Sequence, residues 1–154
     1  MIQQSPRPIP KDDDAMGRVT TPVRIENNLD VSLARVGTIG PEAIRRVEFD
    51  DALVDTGASS LCLPTSIIQA LGLVPQRRRT ARTAGGLREV TVYSEVLLTI
   101  QDRDAIVRVT EIPEGSPVLI GQIPLEEMDL VPFPKQQQLL PNPAHDGQWI
   151  IEVY

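Results

Sequence analysis

Ala52-Leu53-Val54-Asp55-Thr56-Gly57-Ala58-Ser59-Ser60 is the stretch on which the reading of this chain turns. Leu53 and Val54 read as buried strand, and Asp55 is a carboxylate carried to the strand's end. Thr56, Gly57 and Ala58 have little bulk, and Gly57 lets a substrate chain come close to the backbone. A charge so placed needs partners. Thr56 and Ser59 offer hydroxyls, and the N–H groups of the turn can also point at the carboxylate. Asp-Thr-Gly alone is a weak signal. It gains weight from the apolar run before it, from Ala-Ser-Ser after it, and from a second apolar-Gly element, Val118-Leu119-Ile120-Gly121.

Outward from this stretch, short β-branched runs and turns alternate. Gly17 to Asn27 predicts a first strand, Ser32 to Gly40 a short second one, and Val47 to Val54 leads into the Asp turn. Leu61-Cys62-Leu63 reads as a return strand. Pro64 opens a short helix with Ile67, Ile68 and Leu71 as its apolar positions and Gly72 as its stop. Arg77 to Ala84 and Leu87 to Ile100 are strand-like runs joined at Gly85-Gly86, a hairpin signal. Ala105 to Ile112 and Val118 to Ile120 are further strands. Pro124 to Leu130 forms a second short helix with Leu125, Met128 and Leu130 inward, and Gln148 to Tyr154 ends the chain as a strand. Many short strands with one or two short helices predict a mainly β fold, a small closed or nearly closed β-barrel.

The chain resembles the retropepsin-like aspartic proteases, single-domain relatives of the retroviral protease, and looks like a cellular member. The resemblance runs from about Met16 to the C-terminus. Asp55-Thr56-Gly57-Ala58 matches the family's catalytic turn, Val118 to Gly121 its apolar-apolar-Gly element, and Thr83-Ala84-Gly85-Gly86 sits where the family carries its flap. One departure stands out. Retroviral enzymes often follow the turn with acidic residues that bind peptide backbone, and here Ser59 and Ser60 occupy those places.

The whole chain sets bounds on this reading. Its 154 residues make one domain. A net charge of -6 argues against nonspecific nucleic-acid binding. No apolar stretch approaches a membrane span, and Met1 to Ala15 is too polar for a signal peptide. That leader, residues 1–15, is expected to be disordered, ahead of a protease domain at 16–154. It reads as a flexible tail, a self-cleaved pro-segment, or the product of a start upstream of Met16. The single cysteine, Cys62, excludes an internal disulfide, and with one histidine a zinc site is unsupported. No metal or cofactor is expected. A cytoplasmic, reducing location is the simplest reading.

Aspartic-protease chemistry needs two carboxylates sharing one proton. Like charges about 3 Å apart cannot both ionise, so the ionised member activates a water and the protonated one serves the scissile carbonyl. The chain has one Asp-Thr-Gly, and other aspartates lie in weak contexts, among them Asp12 to Asp14 in the leader, Asp102 and Asp104 in a turn, Asp129 in a helix, and Asp146 beside Gly147. The second Asp55 is therefore expected from another copy, in a symmetric homodimer. The resemblance further implies that Thr56 bonds across the twofold axis. In this reading Asp55, Thr56 and Gly57 are catalytic, while Ala58, Ser59, Ala84, Gly85 and Gly86 bind a peptide or unfolded-protein substrate beneath a closing hairpin.

The alternative is a weak or inactive dimerisation or peptide-binding module of the same fold. A phosphoryl-transfer enzyme with an Asp nucleophile lacks its companion residues here. The arginines of the hairpin, Arg77, Arg78, Arg79, Arg82 and Arg88, either favour acidic peptides or simply prevent edge-to-edge pairing. Cys62 reads as a small core residue, His145 as a loop residue, and Trp149 as a candidate for burial in the dimer interface.

Overall fold

The computed structural model describes residues 17–153. The expected leader at 1–15 lies outside them. Nine strands appear in chain order: β1 Thr20–Asn27, β2 Arg46–Val54, β3 Leu61–Pro64, β4 Pro75–Thr83, β5 Gly86–Ile100, β6 Arg103–Ile112, β7 Leu119–Ile120, β8 Leu130–Phe133 and β9 Gln138–Pro141. Three short helices join them: α1 Asn28–Arg35, α2 Thr65–Ala70 and α3 Gln122–Met128. The mainly β expectation holds.

Seven strands form one sheet in the order β1-β2-β7-β3-β6-β5-β4, and β1 pairs a second time, with β5. The pairings therefore run in a cycle through β1, β2, β7, β3, β6, β5 and back to β1, and β4 hangs from β5 alone. Alternation explains most of the side chains that fill the centre: Val23 and Ile25 of β1, Val47 and Phe49 of β2, Leu61 and Leu63 of β3, and Val109 of β6 are all buried. An irregularity between β1 and β2 shifts the register after Phe49, so that Ala52 is the next buried residue of β2. Ile67 and Ile68 of α2, with Leu125 and Met128 of α3, complete the core. No helix among the described residues is long and apolar enough to cross a membrane.

Three expectations are corrected. Ser32 to Gly40 is not a strand, because helix α1 claims its first residues. Asn27 caps that helix, its side-chain oxygen accepting from Asp30 N–H at 3.1 Å, and Arg35 sits in the last turn, which favours a cation. The cap signal outweighs the short apolar alternation that follows it. Gln148 to Val153 forms no strand. In the C-terminal region the strand pairing is instead β8 with β9, a separate two-stranded sheet. Among the described residues there are three α-helices, where one or two were expected.

Helix α1 is tied down by an ion pair between the buried Asp30 and the half-exposed side chain of Arg45. Asp30, 5 % exposed, accepts from Arg45 through Nε at 2.9 Å, Nη2 at 3.0 Å and the backbone N–H at 3.0 Å. The Arg45 guanidinium holds the Asp30 carboxyl below its ordinary pKa. Asn27 adds a bond from Nδ2 to Leu71 O at 2.8 Å, linking α1 to the end of α2.

Candidate active site

Strand β2 ends between two neighbours that fix its last residues. Leu53 N–H donates to Val118 O at 2.8 Å, Val54 N–H to Val19 O at 2.9 Å, and Asp55 N–H to Ile120 O at 2.9 Å. Asp55 thus leaves the sheet from a strand held on both sides. The chain then turns, with Ala58 N–H donating back to Asp55 O at 3.0 Å. Gly57 N–H donates to Asp55 Oδ1 at 2.9 Å. The backbone donor expected from the turn is therefore present at Gly57. Asp55 is half-buried, while Thr56, Gly57 and Ser59 are exposed and Ala58 is half-buried.

Beneath the turn lies the start of α3. The first N–H groups of a helix have no partner within it. Here they find partners in the turn: Gly121 N–H donates to Ser60 O at 3.0 Å, Gln122 N–H to Ala58 O at 2.9 Å, and Ile123 N–H to Ser59 O at 3.0 Å. So close an approach leaves no room for a side chain. A Cβ on Gly121 would stand 2.5 Å from Ser60 O and 2.6 Å from Ala58 O. The glycine of Val118 to Gly121 is required by this contact, since its φ of -85° is open to any residue.

A third tie runs sideways. Ser60 Oγ and Thr110 Oγ1 are 2.9 Å apart, so the last residue of the motif is bonded to β6. Sequence reasoning did not find Thr110, because a lone threonine in a strand carries no signal of its partner fifty residues away. The pairing registers show more. Leu53 faces Leu119, Leu119 faces Cys62, Cys62 faces Thr110, Thr110 faces Val92, and Val92 faces Arg77. Laterally paired residues project to one side of a sheet, so this row lies on a single face. It is the face opposite Leu61, Val109 and Ile120, which point into the core.

The hairpin of β4 and β5 closes in a two-residue turn, Ala84-Gly85, between the paired Thr83 and Gly86. Thr83 Oγ1 donates to Gly86 O at 2.9 Å and accepts from Gly85 N–H at 3.2 Å. Gly86 has a φ of +106°, a conformation that glycine adopts without strain. Thr83 to Gly86 are all exposed, and the outer part of β5 pairs only with β4, so the hairpin is an arm projecting from the sheet.

The remaining singled-out residues take structural positions. Cys62 is buried, and burial pushes its thiol pKa up, with the Asp55 carboxylate adding to the rise against a Ser60 hydrogen bond. His145 sits in a turn with Nδ1 2.5 Å from Asp129 Oδ2, and that contact, with a bond from Asn142, holds the Asp129 carboxyl below its ordinary pKa. Trp149 is 42 % exposed and donates from Nε1 to Glu127 O at 3.0 Å. Among the described residues no cluster of His, Cys, Asp and Glu could hold a metal ion.

None of the curated proteins matches the chain. The sequence model of a family described as aspartyl protease matches residues 43–123. That span is more than half of the 154 residues and takes in the Asp55 turn, the hairpin arm and Val118 to Gly121. The chain belongs to the aspartyl protease family.

Proposed function

We propose that the protein is a homodimeric aspartic endopeptidase of the retropepsin-like type, with Asp55 contributed by each subunit. The observation that carries this reading is the seating of Asp55. One carboxylate stands at the end of a strand fixed on both sides, on a turn bound from below by α3 and from the side by Thr110. Such rigidity is what a pair of carboxylates needs to keep a water between them. The cyclic strand pairing is read as the closed barrel of this protease type.

In this mechanism the ionised Asp55 takes a proton from the bound water, whose oxygen attacks the scissile carbonyl. The protonated Asp55 of the second copy donates to the carbonyl oxygen. The first Asp55 then passes its proton to the amide nitrogen as the C–N bond breaks and the carbonyl re-forms, so no covalent intermediate with the enzyme is needed. Gly57 N–H keeps each carboxylate oriented, Thr56 bonds across the twofold axis, and Ala58 with Ser59 lines the floor beneath the peptide. Ala84, Gly85 and Gly86 close over the substrate backbone, excluding water. A cytoplasmic, reducing location is part of this reading, on the ground of the single cysteine.

The test is a mass-spectrometric cleavage assay on a denatured protein mixture from about pH 4 to about pH 8. Wild type is expected to cut and Asp55→Asn to be inactive while keeping its fold and dimer. Cleavage by the variant would sink the assignment. Silence from both as folded dimers would favour a peptide-binding module.

A further inference from the structure

The arm formed by β4 and β5 carries five arginines, and their register sorts them. Arg77 faces Val92, Arg79 faces Val90, and Arg88 faces Ala81. By strand alternation these three arginines share one side with Val90 and Val92. Arg78, Arg82 and Glu89 lie on the other side, where Arg78 Nη2 and Glu89 Oε2 form an ion pair at 3.1 Å. Glu89, the acidic side chain of the outer part of the arm, where β4 and β5 pair only with each other, is thus on the side away from Arg77, Arg79 and Arg88. Three arginines with no acidic neighbour on one side, against two arginines and Glu89 on the other, make an imbalance that blocking edge pairing does not require.

By strand register, the face bearing Arg77, Arg79 and Arg88 is continuous with the face that carries Leu53 near the Asp55 turn. The row of paired residues from Arg77 runs through Val92, Thr110, Cys62 and Leu119 to Leu53, two residues before Asp55. Thr110 on that row bonds to Ser60 of the motif. Arg77 and Arg79, two apart on a strand, are spaced about 7 Å, the repeat at which alternate side chains of an extended peptide recur.

We propose that this face of the arm is a subsite that selects acidic side chains of an extended polypeptide, with Arg77, Arg79 and Arg88 pairing with Asp or Glu residues that flank the scissile bond. The inference rests on the protease reading of the same site and adds the substrate class. Arginine suits the task because its planar fork meets a carboxylate with two parallel hydrogen bonds.

The test uses the full chain with Asp55→Asn to prevent turnover, and follows fluorescence anisotropy of three labelled probes. These are an extended peptide with alternating glutamates, its glutamine counterpart, and single-stranded oligothymidine. The glutamate peptide is expected to bind more tightly than the glutamine one, and more weakly as salt is raised. Arg77→Ser, Arg79→Ser and Arg88→Ser together should weaken it by about tenfold or more, since each exposed pair contributes modestly. Arg78→Ser with Arg82→Ser, on the other side, should change it by less than about threefold. Equal binding of the two peptides, equal loss in the two variants, or no peptide binding at all would overturn the proposal. Tighter binding of oligothymidine would overturn it in favour of a nucleic-acid partner. Arginine-dependent binding without any cleavage by wild type would sink the protease reading and leave the subsite standing.

Discussion

Gly121 and Ser60 are joined by a hydrogen bond of 3.0 Å from the glycine N–H to the serine carbonyl, and the same carbonyl would lie 2.5 Å from any Cβ added to the glycine. The contact is backbone against backbone, so neither partner can swing aside. It joins α3, whose Leu125 and Met128 are in the core, to the turn that presents Asp55. The position of the candidate catalytic carboxylate is therefore set not only by the strand that carries it but also by a contact at the far end of its own motif.

Gly121→Ala should displace the turn. Overpacking of this kind costs typically about 1–3 kcal/mol, and rigid backbone oxygens place it at the upper end. The melting temperature should fall by on the order of 10 °C, and peptidase activity should be lost even where the protein is still folded. An alanine variant with wild-type stability and activity would show that the turn is not seated on α3.

Much of this site was legible in the sequence, and the missing part has a physical explanation. The Asp55 turn, Val118 to Gly121 and the hairpin at Ala84 to Gly86 are short motifs whose residue types answer to local needs, a close approach or a tight turn. Thr110 and the sorting of the arginines were not legible. They depend on register across β3, β5 and β6, which no local pattern states. The misread strand at Ser32 shows the reverse error: Asn27 and Asp30 already carried the helix signal, and the stretch beyond them divides between the end of α1 and a turn from Val36. The C-terminal residues failed for a third reason. Ile150, Ile151 and Val153 have the composition of a strand, yet they are exposed and without a strand partner among the described residues.

Activity should be highest on the acidic side of neutral and fall as pH rises. The working state of a carboxylate pair holds one shared proton, and raising the pH removes it. The decline belongs to the pair and not to one residue. A rate profile that stays flat through about pH 8 would contradict the shared-proton mechanism.

The fold should remain stable across that acidic window. Asp30 and Asp129 both have depressed pKa values in the folded chain, through Arg45 and His145 respectively. For a depressed carboxylate the stabilisation is complete above its unfolded pKa of about 3.9 and is lost as pH falls through the folded value. Thermal stability should therefore hold down to about pH 5 and drop steeply below about pH 4. Asp30→Asn should cost about 2 kcal/mol at neutral pH, less than a fully buried pair because Arg45 is 49 % exposed and can return to water. The variant should also lose part of the acid-dependent drop. Parallel pH-stability curves for variant and wild type would show that Asp30 does not carry it.

Arg103 supplies the last and most separable test. It is 4 % exposed, and its Nη1 donates to Met128 O at 2.9 Å and Asp129 O at 3.0 Å, while Nη2 donates to Gly147 O at 2.8 Å. The guanidinium thus satisfies carbonyls at the end of α3, which no longer have helical partners, and draws in the segment leading to Trp149, whose ring lies 5.9 Å from it. A lysine keeps the charge but not the planar fork, so Arg103→Lys leaves at least one buried carbonyl unpaired, costing about 2 kcal/mol. Trp149 is the chain's single tryptophan, so its emission reports on this segment alone. The variant should melt earlier and emit further to the red as Trp149 loosens from Glu127 O. A lower melting temperature with unchanged emission would mean that Trp149 is held by its own hydrogen bond, with Arg103 serving only the end of α3.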